Sequence, residues 1–152
     1  VKGVASDDGR FAFNLDKNVG PGQTNVLEDV QLVQFCFYCL SKDTTATMTQ
    51  AQRQIYAAVR PGNPFTGLAT DPLCVAIQTL QQAKGGTQDG IVSALPANIG
   101  TSYGAGKHYR MLSYLLASAY MVASENWPRI DKHPVCPPAL RAKVKDGCAK
   151  LF

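Results

Sequence analysis

The chain has 152 residues, a formal net charge of +4 and a charged fraction of 17%, which fits one domain with an elaboration and enough length for a sizeable core. So small a net charge, with no nucleic-acid reader motif, argues against nucleic acid as a partner. No segment reaches the ~20 consecutive apolar residues of a bilayer span; the best candidate, residues 111–123, is interrupted by Ser113, Tyr114, Ser118 and Tyr120. The remaining surface should be rich in Thr, Gln, Ser, Asn and Ala, a composition that suits carbohydrate contact or protein assembly.

In chain order, Asp7-Asp8-Gly9 is followed by Phe11, Phe13 and Leu15 alternating with Ala12 and Asn14, which predicts a short strand or hairpin. Gly20-Pro21-Gly22 is a loop. Asn25 as a cap with Glu28 three positions on makes a candidate capping box. Val26, Val30, Val33, Phe37 and Leu40 then fall on one helical face, predicting a helix over residues 26–40. A second helix fits residues 49–59, with Ile55, Ala58 and Val59 as its apolar edge and Pro61, Gly62 and Pro64 as its stop. A third begins at Asp71-Pro72, cap and first helical position, buries Leu73, Ala76, Ile77 and Leu80, and ends at Gly85-Gly86. After the Asp89-Gly90 turn and an irregular stretch, the longest helix is expected over residues 107–126. Its core face would be Met111, Leu112, Leu115, Ala119 and Val122, and Trp127-Pro128 would close it. A last helix over residues 138–145 turns Leu140 and Val144 inward and Arg141, Lys143 and Lys145 outward, with Gly147 beyond its end.

Groups that carry catalysis are sparse. His108 and His133 share no motif, and no HExxH or comparable ligand set is present, so a catalytic zinc site is not expected. Cys36 and Cys39 form a CxxC and His133 with Cys136 an HxxC. The CxxC lies inside a periodic helix rather than in a presenting turn, so packing thiols are the expected role. The five cysteines leave at least one unpaired in a monomer. Glu28 and Glu125 are each explained by a helix end, which leaves no opposed carboxylates for glycoside hydrolysis. Gly104-Ala105-Gly106-Lys107 has the wrong spacing for a phosphate loop, with His108 where Ser or Thr should stand. Tyr103, Tyr109 and Trp127 remain open as contact aromatics. Val1 is not an initiator Met, so processing is expected, by loss of Met alone or of a leader.

Three pieces in a fixed order carry a resemblance. Val19-Gly20-Pro21-Gly22-Gln23-Thr24-Asn25 leads into Glu28-Asp29-Val30-Gln31-Leu32-Val33-Gln34. Gly67-Leu68-Ala69-Thr70-Asp71-Pro72 leads into Ala76-Ile77 and Leu80-Gln81. Asp89-Gly90-Ile91-Val92 closes the set. In order and spacing these resemble the peptidoglycan-binding domain family, a three-helix module often attached to cell-wall hydrolases. The match spans residues 19–96. It departs at Leu80, where Phe is usual, at Asn63-Pro64-Phe65-Thr66-Gly67 in place of the family turn, and in a longer insertion between first and third helices.

The fold expected is mainly α: a small helical bundle of the peptidoglycan-binding type over residues 19–96, a short β segment in residues 1–18, and a C-terminal helical extension, residues 97–152, packed on it. The resemblance implies a non-catalytic module that binds peptidoglycan or muropeptide, without metal or cofactor. Gln78, Gln81 and Gln82 on the third helix and Tyr103 are the candidate ligand-binding residues. The alternative is a structural or assembly protein of a phage particle or bacterial injection machine, in contact with other subunits. The corresponding locations are the bacterial periplasm or cell envelope, or a virion.

Overall fold

A computed structural model describes residues 1–5, 11–96 and 111–149. Its axis is helix α1, Leu27–Lys42. The sequence stripe marks one face of this helix, yet Leu32, Phe35, Cys36 and Cys39 are buried as fully as Val30, Val33, Phe37 and Leu40. A helix that is apolar all round lies inside a protein rather than on its surface, and α1 is covered on several sides. Helices α2 (Gln50–Ala57), α4 (Met111–Val122) and α5 (Pro138–Ala149) all pack against it, and α3 (Pro72–Ala83) packs against α2. The expected core residues Val30, Val33, Phe37, Leu73, Ile77 and Leu80 share one buried cluster with Leu112, Leu115, Leu116, Leu140 and Val144. The C-terminal helices therefore contribute to the same core as residues 19–96.

The N-terminal β segment is an antiparallel pair, β1 (Lys2–Ala5) and β2 (Phe11–Asn14), in register from Lys2 opposite Asn14 to Ala5 opposite Phe11. The Asp7-Asp8-Gly9 turn lies outside the described residues. Strand β1 lies beside α5 and β2 beside α4. A buried carboxylate fixes this end of the fold. Asp29, fully buried, accepts the Asp16 and Lys17 backbone N–H groups at 3.0 and 2.8 Å and the Val1 ammonium at 2.8 Å. Burial of a carboxylate is tolerated when it is paired and hydrogen-bonded in this way.

Several local expectations change. Asn25 does not cap α1: Val26 is the N-cap, with no side-chain cap bond. Asn25 instead adopts a left-handed φ of 52°, a region Asn tolerates better than most residues. Its amide clips the preceding loop, accepting the Gly20 N–H at 2.8 Å and donating to the Gly20 and Gln23 carbonyls. Helix α2 is shorter than expected; Thr49 caps it in a full capping box with Gln52. Tyr56, not Ala58, is its buried anchor, with its ring 5.5 Å from that of Phe37. Helix α3 begins and ends as read from the sequence. Asp71 accepts the Leu73 N–H, and Gly85 and Gly86 return hydrogen bonds to the Gln82 and Gln81 carbonyls, the paired pattern of a left-handed helix end.

Helix α4 stops at Val122 and turns follow to Pro128; the start expected at residue 107 lies outside the described residues. Ile130–Lys132 adds a short 3₁₀ turn. Gly147 sits within α5, facing β1, where an added Cβ would lie 3.9 Å from the Gly3 nitrogen.

The charged groups make stability pH-dependent. The Val1 ammonium, by hydrogen bonding, holds Asp16 below its usual range. Burial would raise Asp43, but hydrogen bonds led by those from Thr45 outweigh it and the net shift is downward. Hydrogen bonding from Arg129 lowers Asp131. Burial lowers His133 from 6.5. Each folded pKa lies below its unfolded counterpart, so the unfolded chain binds more protons and stability falls with acid. The His133 contribution begins to fade below pH 6.5, and those of the three carboxylates below the ordinary 3.8. Thermal melts from pH 8 to 3 should show a shallow decline and then a steeper one, and His133→Gln should flatten the first. A melting temperature that rises on acidification would contradict the ion-pair geometry.

Candidate ligand cleft

A cleft of about 430 Å³ opens between the start of α1 and the segment formed by residues 62–67. Asn25, Leu27, Val30 and Gln31 form one wall, and Gly62, Asn63, Pro64, Phe65, Thr66 and Gly67 the other. The second wall is an irregular loop, and two buried side chains fix its shape. Gln34 on α1 uses its whole amide on it: Oε1 accepts the Gly62 N–H at 3.0 Å and Nε2 donates to the Asn63 carbonyl at 3.0 Å. Gly62 turns there with φ of +88°, a conformation that favours glycine. At the other end Asp71, besides capping α3, accepts both the Thr66 N–H at 3.0 Å and the Thr66 hydroxyl at 3.1 Å. The loop is thus tied to α1 and to α3.

The first wall is positioned by the clip at Asn25 and by the approach of two turns behind it. Val19 and Val92 exchange two backbone hydrogen bonds of 3.0 and 2.8 Å. Gly20 lies so close to the Asp89-Gly90 turn that a Cβ on it would be 2.5 Å from the Gly90 carbonyl oxygen; no other residue fits there.

Among the described residues, no titratable side chain lines the cleft. The walls offer amide and hydroxyl groups and an apolar floor from Val30, Pro64 and Phe65, with Leu27 exposed to 57% at the rim. Such a surface can hydrogen-bond and bury apolar groups, and its described lining holds no side chain suited to general acid or base work.

The glutamines picked from the sequence lie elsewhere. Gln81 is buried and its amide is fully engaged inside the molecule: Nε2 donates to Asp89 Oδ1 at 2.8 Å and to the Ile91 carbonyl at 3.1 Å, and Oε1 accepts the Gly90 N–H at 2.9 Å. It shapes the turn rather than facing a ligand. Gln78 is half-buried beside Gly90, and Gln82 is exposed on α3. None of the three lines the cleft, and Tyr103 and Tyr109 lie outside the described residues. The residues that sequence reading missed are Gln31, Asn63 and Phe65. One signal was present: Gln31 and Gln34 stand in a helix apolar on every side, where a buried amide must have a structural or recognition role.

Cys36, Cys39, Cys74 and Cys136 are free and buried. Burial pushes Cys39 up to about 12 and Cys74 and Cys136 up to about 11, and it raises Cys36 as well. These thiols stay protonated at neutral pH and are poor nucleophiles or metal ligands. Among the described residues no group of three or more His, Cys, Asp or Glu could hold a metal ion, and no helix is long and apolar enough to cross a membrane. The His133 ring packs edge-on against Phe35 at 5.3 Å. Trp127, half-buried, packs edge-on between Phe13 at 5.4 Å and Tyr120 at 5.8 Å. No family model, no curated protein and no solved structure matches this chain.

Proposed function

We propose that the chain is a non-catalytic module that binds peptidoglycan through the cleft between α1 and residues 62–67. The observation that carries this reading is the lining of the cleft, which combines amides, a hydroxyl and an aromatic ring and has no titratable group among the described residues. That is the chemistry of a recognition surface for a neutral, hydrogen-bonding ligand. The resemblance adds to it. Its first and third pieces meet in space through the Val19–Val92 pairing and the close approach of Gly20 to Gly90. The bacterial periplasm or cell envelope, or a virion, would bring such a module to its ligand.

The second reading, a subunit of a phage particle or injection machine, draws on the exposed Leu27 and Leu68, at 57% and 62%. Apolar side chains at such exposure suit a protein partner when they cluster. Co-sedimentation with purified sacculi separates the two. The wall-binding module pellets with the sacculi, and Phe65→Ala weakens that binding while the chain stays folded. An assembly subunit stays in the supernatant and self-associates with rising concentration.

A further inference from the structure

Gln31 lines the cleft and is only 7% exposed. Its Oε1 accepts the Leu140 backbone N–H at 3.0 Å, which fixes the amide orientation, since only the oxygen can accept that bond. Its Nε2 hydrogens donate to no protein acceptor among the described residues. A buried donor without a partner carries a penalty of about 1–3 kcal/mol, so a ligand acceptor placed there is favoured. The α1 terminus at the same cleft lacks a side-chain cap, which leaves further backbone donors in the first turn.

The charge pattern selects among acceptors. Glu28 and Asp29 occupy the first turn of α1. Asp29 is already paired with the Val1 ammonium, so a carboxylate would meet the Glu28 charge with no Lys or Arg among the described lining residues to offset it, whereas a neutral carbonyl would not. Val30, Pro64 and Phe65 surround the position with apolar surface.

We propose that the cleft takes the acetamido group of an N-acetylhexosamine, its carbonyl oxygen accepting from Gln31 Nε2 and its methyl seated among Val30, Pro64 and Phe65. The proposal rests on the wall-binding reading and deepens it: the glycan strand is recognised, not the stem peptide, which carries several carboxylates.

Calorimetric titration of the unaltered chain with an N-acetylglucosamine tetramer, its de-N-acetylated counterpart and a carboxylate-bearing stem peptide tests it. The acetylated tetramer should bind at least about tenfold more tightly than either of the others, as expected for a site built to hydrogen-bond a group its competitors lack. Gln31→Glu keeps an oxygen for the Leu140 N–H and removes the donor; it should lose the acetylated tetramer, with the melting curve checking its fold. Should that variant unfold, the comparison of acetylated with de-N-acetylated sugar still decides. Equal affinity for the two sugars, preference for the stem peptide, or no binding of the acetylated tetramer would each overturn the acetamido site. The wall-binding reading fails separately, on sacculi that do not retain the chain.

Discussion

A chain ended after Pro96 is expected to lose its cooperative melting transition. The truncation removes α4 and α5, and with them Leu112, Leu115, Leu116, Leu140 and Val144, all at most 1% exposed. Each such side chain contributes roughly 1.5–3 kcal/mol by burial, so five of them are comparable with the ~5–15 kcal/mol by which a domain is stable. The loss also uncovers the faces of α1 against which α4 and α5 pack, and it removes the Leu140 N–H partner of buried Gln31. Circular dichroism with temperature should show a shallow, non-cooperative change and reduced helicity. A truncated chain that melts like the parent would mean that residues 19–96 stand alone as a three-helix module and that the C-terminal helices are an ornament on it.

Val33→Asp should be as damaging by a different route. Val33 is fully buried, at 0% exposure, in the middle of α1, and it belongs to the buried cluster that joins the helices. A carboxylate there would be an unpaired buried charge, which destabilises by several kcal/mol. The variant should be largely unfolded at room temperature, whereas Val33→Ala, which removes volume without adding charge, should melt lower but still cooperatively. A parent-like transition for Val33→Asp would show that α1 is not enclosed as described.

The helical part of this fold was legible where the signals were local and chemically specific. Asp71-Pro72 at the start of α3 and Gly85-Gly86 at its end act as read, because cap, Pro at the first position and left-handed exit each depend on the residues in place. The stripe of α1 was legible too. That its other faces are also buried depends on α4 and α5, which are distant in sequence, so the period alone could not reveal it. Asn25 misled because the same side chain serves as an N-cap and as a left-handed hinge, and only its partners at Gly20 and Gln23 decide between them. Gly147 misled likewise: glycine ends many helices, but here it lies inside α5 against Gly3.

The candidate site was less legible than the fold. The sequence marks the glutamines of α3 only as polar groups on a helix, and Gln81 faces inward to hold the Asp89-Gly90 turn. The cleft is made by an irregular loop, and its position depends on Gln34 and Asp71 reaching across from two helices. Long-range side-chain bonds of that kind leave no period in a sequence.

The central claim is that the cleft at the start of α1 binds peptidoglycan, and the affinity of the unaltered chain and of Phe65→Ala for purified sacculi tests it most directly. Phe65 lines the cleft and is only half-buried, at the edge of the core rather than among its enclosed residues, so its loss removes contact area at the site with a smaller cost to packing than a fully buried side chain would carry. The account predicts saturable binding by the unaltered chain and about tenfold weaker binding by Phe65→Ala, the loss of an aromatic contact of ~1.4 kcal/mol, with both proteins melting cooperatively. Saturable binding of equal strength by the two proteins, or no retention of the unaltered chain, would contradict it.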